Sequence, residues 1–93
     1  MRFSLAQITI VGLGPGDAGL LTREAWALLE VAQVLYLRTA IHPTVAELPA
    51  RLELRSFDAL YERAGDFGQV YGQIVDKLLA SAEAGEPVLY AVP

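Results

Sequence analysis

Gln7-Ile-Thr-Ile-Val-Gly12, followed directly by Leu13-Gly-Pro-Gly-Asp17, decides the architecture of this chain. The first six residues are a β-branched run ending on glycine, the pattern of a buried strand. Gly12, Gly14 and Gly16, with Pro15 between the last two, then predict a tight turn. From about Leu20 the spacing becomes helical. Leu21, Ala25, Leu28, Leu29 and Ala32 form one stripe, with Arg23, Glu24 and Glu30 off it. Thr22 or Asp17 is suited to cap the N-terminus, and Glu24 complements the positive end of the helix dipole. Trp26 lies one position off the stripe, placed for packing or for a domain or dimer contact. Strand, glycine turn and helix in this order open a βαβ unit.

The same alternation continues outward. Val34-Leu-Tyr-Leu37 is a second short apolar run, and Pro43-Thr44 starts a brief helix through Leu48 that Pro49 stops. Glu53-Leu-Arg-Ser-Phe57 alternates polar and apolar residues, as an edge or half-buried strand does, and Asp58 to Gly65 reads as a looser segment. Between Asp66 and about Ala84, Val70, Ile74 and Leu78 recur every four residues, and Tyr71, Val75, Leu79 and Ala82 widen the stripe. Gly85 is placed to end that helix, and Val88-Leu-Tyr-Ala-Val92 is a fourth buried strand. The expected fold is α/β: an open parallel sheet of about four strands with flanking helices, β-α-β-α-β-α-β, in one domain over residues 1–93.

Composition narrows the function classes. Hydrophobic residues make up 54% of the 93 positions and charged residues 19%, too apolar for intrinsic disorder. A chain this short buries only roughly 60 to 65% of its unfolded surface, so part of its apolar surface is expected to meet another domain or a second subunit. Seven bases against eleven acids give a net charge of −4, and no two bases are adjacent. That excludes the clustered cations nucleic-acid binding requires. The absence of cysteine excludes a disulfide scaffold, a zinc ribbon and a thiol nucleophile. The longest uncharged run, Phe3 to Gly16, is shorter than the about 20 residues of a membrane span and closes in the glycine turn. A soluble cytoplasmic protein with no membrane partner is expected.

The turn itself admits three readings. Gly14-Pro-Gly-Asp-Ala-Gly19 matches G-x-G-x-x-G after a strand, and Arg38 stands where an NADP-type arginine would. Against a Rossmann-like half-domain, Pro15 removes an amide from the phosphate cradle, and Asp17 sets a carboxylate where pyrophosphate would lie. A purely structural turn is the second reading. A site for an uncharged or cationic ligand, approached by Gly12, Gly14, Pro15, Gly16 and Asp17, fits the residues better. His42, the only histidine, reads as a helix-start or surface residue, and Asp58, Glu62 and Asp66 as a solvated acidic edge. Tyr36, Tyr61, Tyr71 and Tyr90 read as core and rim packing, because no bases interleave with them.

Ile10-Val-Gly-Leu-Gly-Pro-Gly-Asp17, then Leu20-Leu-Thr22, a helix and Ala32-Gln-Val-Leu-Tyr36, resembles the start of the tetrapyrrole (corrin/porphyrin) methylase family. Leu37-Arg-Thr39 with His42-Pro43, Phe57-Asp-Ala-Leu-Tyr61 and Tyr90-Ala-Val-Pro93 resemble the branch fused to MazG-type nucleoside triphosphate pyrophosphohydrolase domains. The likeness runs from Ile8 to Pro93.

The resemblance implies an enzyme that transfers methyl groups from S-adenosylmethionine (SAM), bound in a cleft between two α/β domains. This chain would supply four of the first domain's five strands, so a truncated, inactive piece of a longer protein is expected. Isolated, it should self-associate or expose a sheet edge. The resemblance places a SAM contact on Pro15 and further contacts in the loop that begins at Pro93. The implied partner is a small-molecule methyl acceptor, with tetrapyrroles the family's own class. One departure matters: the sirohaem-forming members carry an aspartate just after the second strand, and Arg38 stands there. That argues against uroporphyrinogen methylation and leaves the acceptor and the catalytic residues open. A methylase-like module that regulates or dimerises a fused hydrolase without catalysis is the remaining alternative.

Overall fold

Four parallel strands carry the fold in the computed structural model, which describes residues 8–63 and 66–93. They are β1 (Ile8–Gly12), β2 (Val34–Leu37), β3 (Glu53–Ser56) and β4 (Val88–Val92), in the order β1-β4-β2-β3. Gln7, read as the first strand residue, lies outside the described residues. β1 pairs with β4 from Ile8↔Val88 to Gly12↔Val92, β4 with β2 at Tyr36↔Tyr90 and Leu37↔Ala91, and β2 with β3 from Val34↔Glu53 to Leu37↔Ser56. The expected parallel α/β sheet is therefore present.

Two apolar layers sandwich it. On one face Val11, Leu13, Leu35, Leu37, Leu89 and Ala91 pack with Leu29 of α1 (Arg23–Val31) and with Leu48 and Leu52. On the other, Tyr36, Phe57 and Val88 pack under Val70, Ile74, Leu78 and Ala82 of α3 (Phe67–Glu83). The central strands β2 and β4 are apolar on both faces because both are covered. Each fully buried Leu or Ile contributes about 1.5–3 kcal/mol, so these layers hold the sheet. β3 has all four residues exposed and carries Glu53 and Arg55, the charged pattern that protects an edge strand.

Local chemistry sets the element ends. Thr22 caps α1, its hydroxyl accepting from the Ala25 N–H at 3.0 Å, a cap worth about 1 kcal/mol. Asp17, the other capping candidate, caps a separate 3-10 turn, Ala18–Leu20. Helix α1 therefore begins at Arg23, not at Leu20. At its other end Arg51 donates to the Leu29 and Ala32 carbonyls, a cation at the negative end of the dipole. Asp66 caps α3, and Gly85, at φ +90°, ends it in a conformation L side chains avoid.

The structure differs from the sequence reading elsewhere too. The segment expected to be loose contains helix α2 (Asp58–Arg63), with Asp58 in its first turn and Leu60 and Tyr61 packed on the second core. Residues 64 and 65 lie outside the description. The second connection is a 3-10 helix, Pro43–Glu47, instead of an α-helix. The apolar face of α3 is wider than the core it covers: Phe67, Tyr71, Val75 and Leu79 remain exposed, as does Ile10 of β1 at 67%.

Candidate functional site

In open α/β sheets ligands bind outside the carboxyl ends of the strands. Here the ends of β1, β4 and β2 lie side by side. Leu13 donates its N–H to Val92 O at 2.8 Å, and Arg38 donates its N–H to Ala91 O at 3.0 Å. Gly12 is the register partner of Val92, so the glycine turn and Pro93 leave adjacent strands at one edge. The candidate residues Gly12, Gly14, Pro15, Gly16, Asp17 and Pro93 are thus gathered at the carboxyl end. Pro15, Asp17 and Pro93 are exposed there, while Gly14 and Gly16 are half-buried.

The turn needs its glycines. Gly14 has φ +71° and Gly16 φ +132°, both in the region L side chains rarely adopt. A Cβ on Gly16 would also sit 3.4 Å from Cγ of Pro43. Asp17 folds back on its own backbone, Oδ1 accepting from Gly19 N–H at 2.8 Å and its carbonyl from Leu20 N–H at 2.9 Å.

The segment after β2 closes over this turn. His42 Nδ1 accepts from Thr44 N–H at 3.2 Å, which places the ring proton on Nε2, and Nε2 donates to the Gly14 carbonyl at 2.9 Å. The fully buried Thr44 hydroxyl donates to the Leu13 carbonyl at 3.2 Å, and Glu47 accepts from Ala18 N–H at 3.0 Å. One loop earlier, Asp58 accepts from the Thr39 hydroxyl at 2.6 Å and from Ala40 N–H at 2.9 Å. These bonds, Thr39 foremost, hold the Asp58 carboxyl below the usual carboxylate range. Burial pushes the Tyr90 phenol up, with Tyr61 adding to the effect and the Arg38 cation opposing it. Arg38 therefore stands beside the exit of β4 with its side chain exposed.

Sequence reasoning had no signal for this bracing. His42 is indeed a helix-start residue, since it caps the 3-10 helix, but its second bond reaches 28 residues back to the turn. Asp58 and Asp66, read as parts of an acidic edge, have separate local duties as loop anchor and helix cap. Tyr36 is a core residue whose hydroxyl meets Ser81 and Arg55, and Tyr61 is partly buried in the same layer. Trp26 packs against the first core. A cavity of about 510 Å³ does exist, but at the opposite end of the sheet, lined by Leu28, Val31, Pro87 and Val88 among others.

The turn is not arranged to hold a pyrophosphate. A dinucleotide site needs free amides at the start of the following helix. The Ala18, Gly19 and Leu20 amides are already taken by Glu47 and Asp17, and α1 starts only at Arg23, beyond the motif. What the turn offers outward is the Pro15 ring and the Asp17 carboxylate, which suit a ligand without phosphate and with positive charge.

The family model described as Tetrapyrrole (Corrin/Porphyrin) Methylases matches residues 7–93. The chain belongs to that family. Tetrapyrrole methylases are SAM-dependent. Among relatives of this tetrapyrrole methylase domain, YabN, an uncharacterized protein of Bacillus subtilis (strain 168), is 44% identical over 88 residues. A siroheme synthase of Tolumonas auensis is 34% identical over 83 residues. These alignments cover 94% and 89% of this chain but only 18% and 17% of the two relatives. The crystal structure of uroporphyrin-III-C-methyltransferase from Thermus thermophilus superposes with a TM-score of 0.62 at 28% identity, over 91% of this chain and 33% of that one. The fold and the family agree.

Proposed function

We propose that this tetrapyrrole methylase domain forms the SAM-binding wall of a methyltransferase, with Gly12, Gly14, Pro15, Gly16, Asp17 and Pro93 facing the cofactor. The observation that carries this reading is the placement of the Gly-Pro-Gly-Asp turn at the carboxyl ends of β1 and β4, with its anion-binding amides already occupied. SAM, when bound, supplies a methyl group on a cationic sulfur. The residues' part is to position it: Gly14 and Gly16 let the backbone turn sharply, Pro15 presents a rigid apolar surface, and Asp17 sets negative potential near the cation. Methyl transfer is an in-line displacement, so positioning alone can supply much of the acceleration. The acceptor is a small molecule, with a tetrapyrrole the class that the named relatives favour.

In the parent protein we place a second domain over this wall and a MazG-type pyrophosphohydrolase downstream, and residues 1–93 alone are inactive. The exposed apolar side chains of α3 and Ile10 support a contact with another domain or subunit on that face. The second reading is a methylase-like module without catalysis that regulates its fused hydrolase. Arg38 favours it, as a cation at the exit of β2 where sirohaem-forming members are described as carrying an aspartate.

Calorimetric titration of the full gene product with SAM and with NADPH tests the proposal. Saturable SAM binding without NADPH binding is expected; tight NADPH binding with no SAM signal overturns it. SAM binding with no transfer, together with a changed hydrolase rate on deleting this domain, selects the second reading.

A further inference from the structure

The glycine turn is intrinsically soft, because Gly14 and Gly16 lose more conformational freedom on ordering than any other residue type would. A neighbouring segment compensates for this softness. His42, Pro43, Thr44 and Glu47 each meet a different point of the turn: the Gly14 carbonyl, the open side of Gly16, the Leu13 carbonyl and the Ala18 amide. Thr44 is the buried polar side chain of the described core, and its hydroxyl is given to a carbonyl 31 residues away. A hydroxyl without such a bond costs about 1–3 kcal/mol when buried, so its presence at this position ties the two loops together.

We propose that His42–Glu47 is a brace for the SAM turn, with His42 and Thr44 as positioning residues that turn the Leu13 and Gly14 carbonyls inward. The inference rests on the SAM reading of the turn. The two residues touch no ligand. They fix the direction of the backbone that does, so that Pro15 and Asp17 face outward before the cofactor arrives. Preorganisation of this kind raises affinity by removing the ordering cost from the binding step. His42 is suited to the task because one ring serves both ends: Nδ1 caps its own helix while Nε2 reaches the turn.

That division makes the brace separable from the cap. His42→Asn keeps an N-cap residue of high quality but removes the donor to Gly14. In the full gene product it should weaken SAM binding by roughly two- to tenfold, the range of one neutral hydrogen bond. The melting temperature without ligand should fall by no more than about a few degrees, because one bond is lost while the cap survives. Hydrogen exchange followed by mass spectrometry should show faster exchange at Leu13 and Ala18, the bonded amides of the turn. Thr44→Val should act in the same direction, and Thr44→Ser, which restores the hydroxyl, should recover wild-type affinity. Unchanged exchange over residues 13–18 in both His42→Asn and Thr44→Val overturns the brace. Faster exchange with unaltered SAM affinity overturns its positioning role. If wild type takes up no SAM, the methyltransferase reading fails instead, and exchange alone then decides whether the brace exists.

Discussion

At the carboxyl ends of the strands the backbone is tied from several directions. Leu13, Gly14, Ala18, Thr39 and Ala40 all bond to groups distant in sequence. At the amino ends a cavity of about 510 Å³ opens between the end of α1 and the start of β4, walled mainly by aliphatic side chains. Volume alone would put the site in the cavity. The proposed site lies at the other end, where a turn with two positive-φ glycines is bonded to the segment after β2. A turn whose glycines and long-range bonds fix its backbone is a better pointer to a site than empty space is.

The difference between the ends can be challenged by substitution. The largest effect is expected at Gly16. Gly16→Ala forces a Cβ onto φ +132° and against Pro43, and should destabilise the protein by about 1–3 kcal/mol in urea unfolding while lowering SAM affinity more than tenfold. A Gly16→Ala protein that binds SAM as wild type does would remove the case for a braced carboxyl end.

A smaller, pH-dependent effect is expected at Asp58. Its folded pKa lies below the ordinary carboxylate value of 3.8, so its bonds add stability above that pH and lose it as pH falls through the folded pKa. Asp58→Asn should therefore be less stable than wild type at neutral pH by about 1 kcal/mol or less, and the two curves should converge in acid. Parallel stability curves across that range would show that the carboxylate does not anchor the Thr39–Ala40 loop.

The smallest effect is expected at the amino end. Val31 is 77% exposed at the cavity rim. Val31→Lys should stay within about 0.5 kcal/mol of wild type and leave SAM affinity untouched. A loss of SAM binding there would reverse the assignment of the two ends.

The four strands, the long helix and the turn residues were legible because each depends on local pattern: β-branched runs, a four-residue repeat, and glycines where positive φ is required. Helix α2 was obscured because only Leu60 and Tyr61 of its six residues reach the core, too few to show a period. The brace was hidden for another reason. His42 meets Gly14 and Thr44 meets Leu13 only because β2 lies one strand away from β1 across β4. Strand order is not written in any local pattern. The exposed side of α3 shows the converse. Phe67, Tyr71, Val75 and Leu79 extend the apolar face, but periodicity does not distinguish a residue buried within the chain from one left open on it.

The pairing of β1 with β4 also bears on synthesis. These strands lie furthest apart in the sequence yet are immediate neighbours in the sheet, from Ile8↔Val88 to Gly12↔Val92. Contacts of such long separation form late, since the loop between them must close first. On the ribosome, the glycine turn emerges early but cannot gain the strand that frames it until Val88–Val92 has cleared the exit tunnel. Until then the chain carries β1 as an unpaired apolar strand, the kind of exposed edge that makes folding intermediates prone to aggregate.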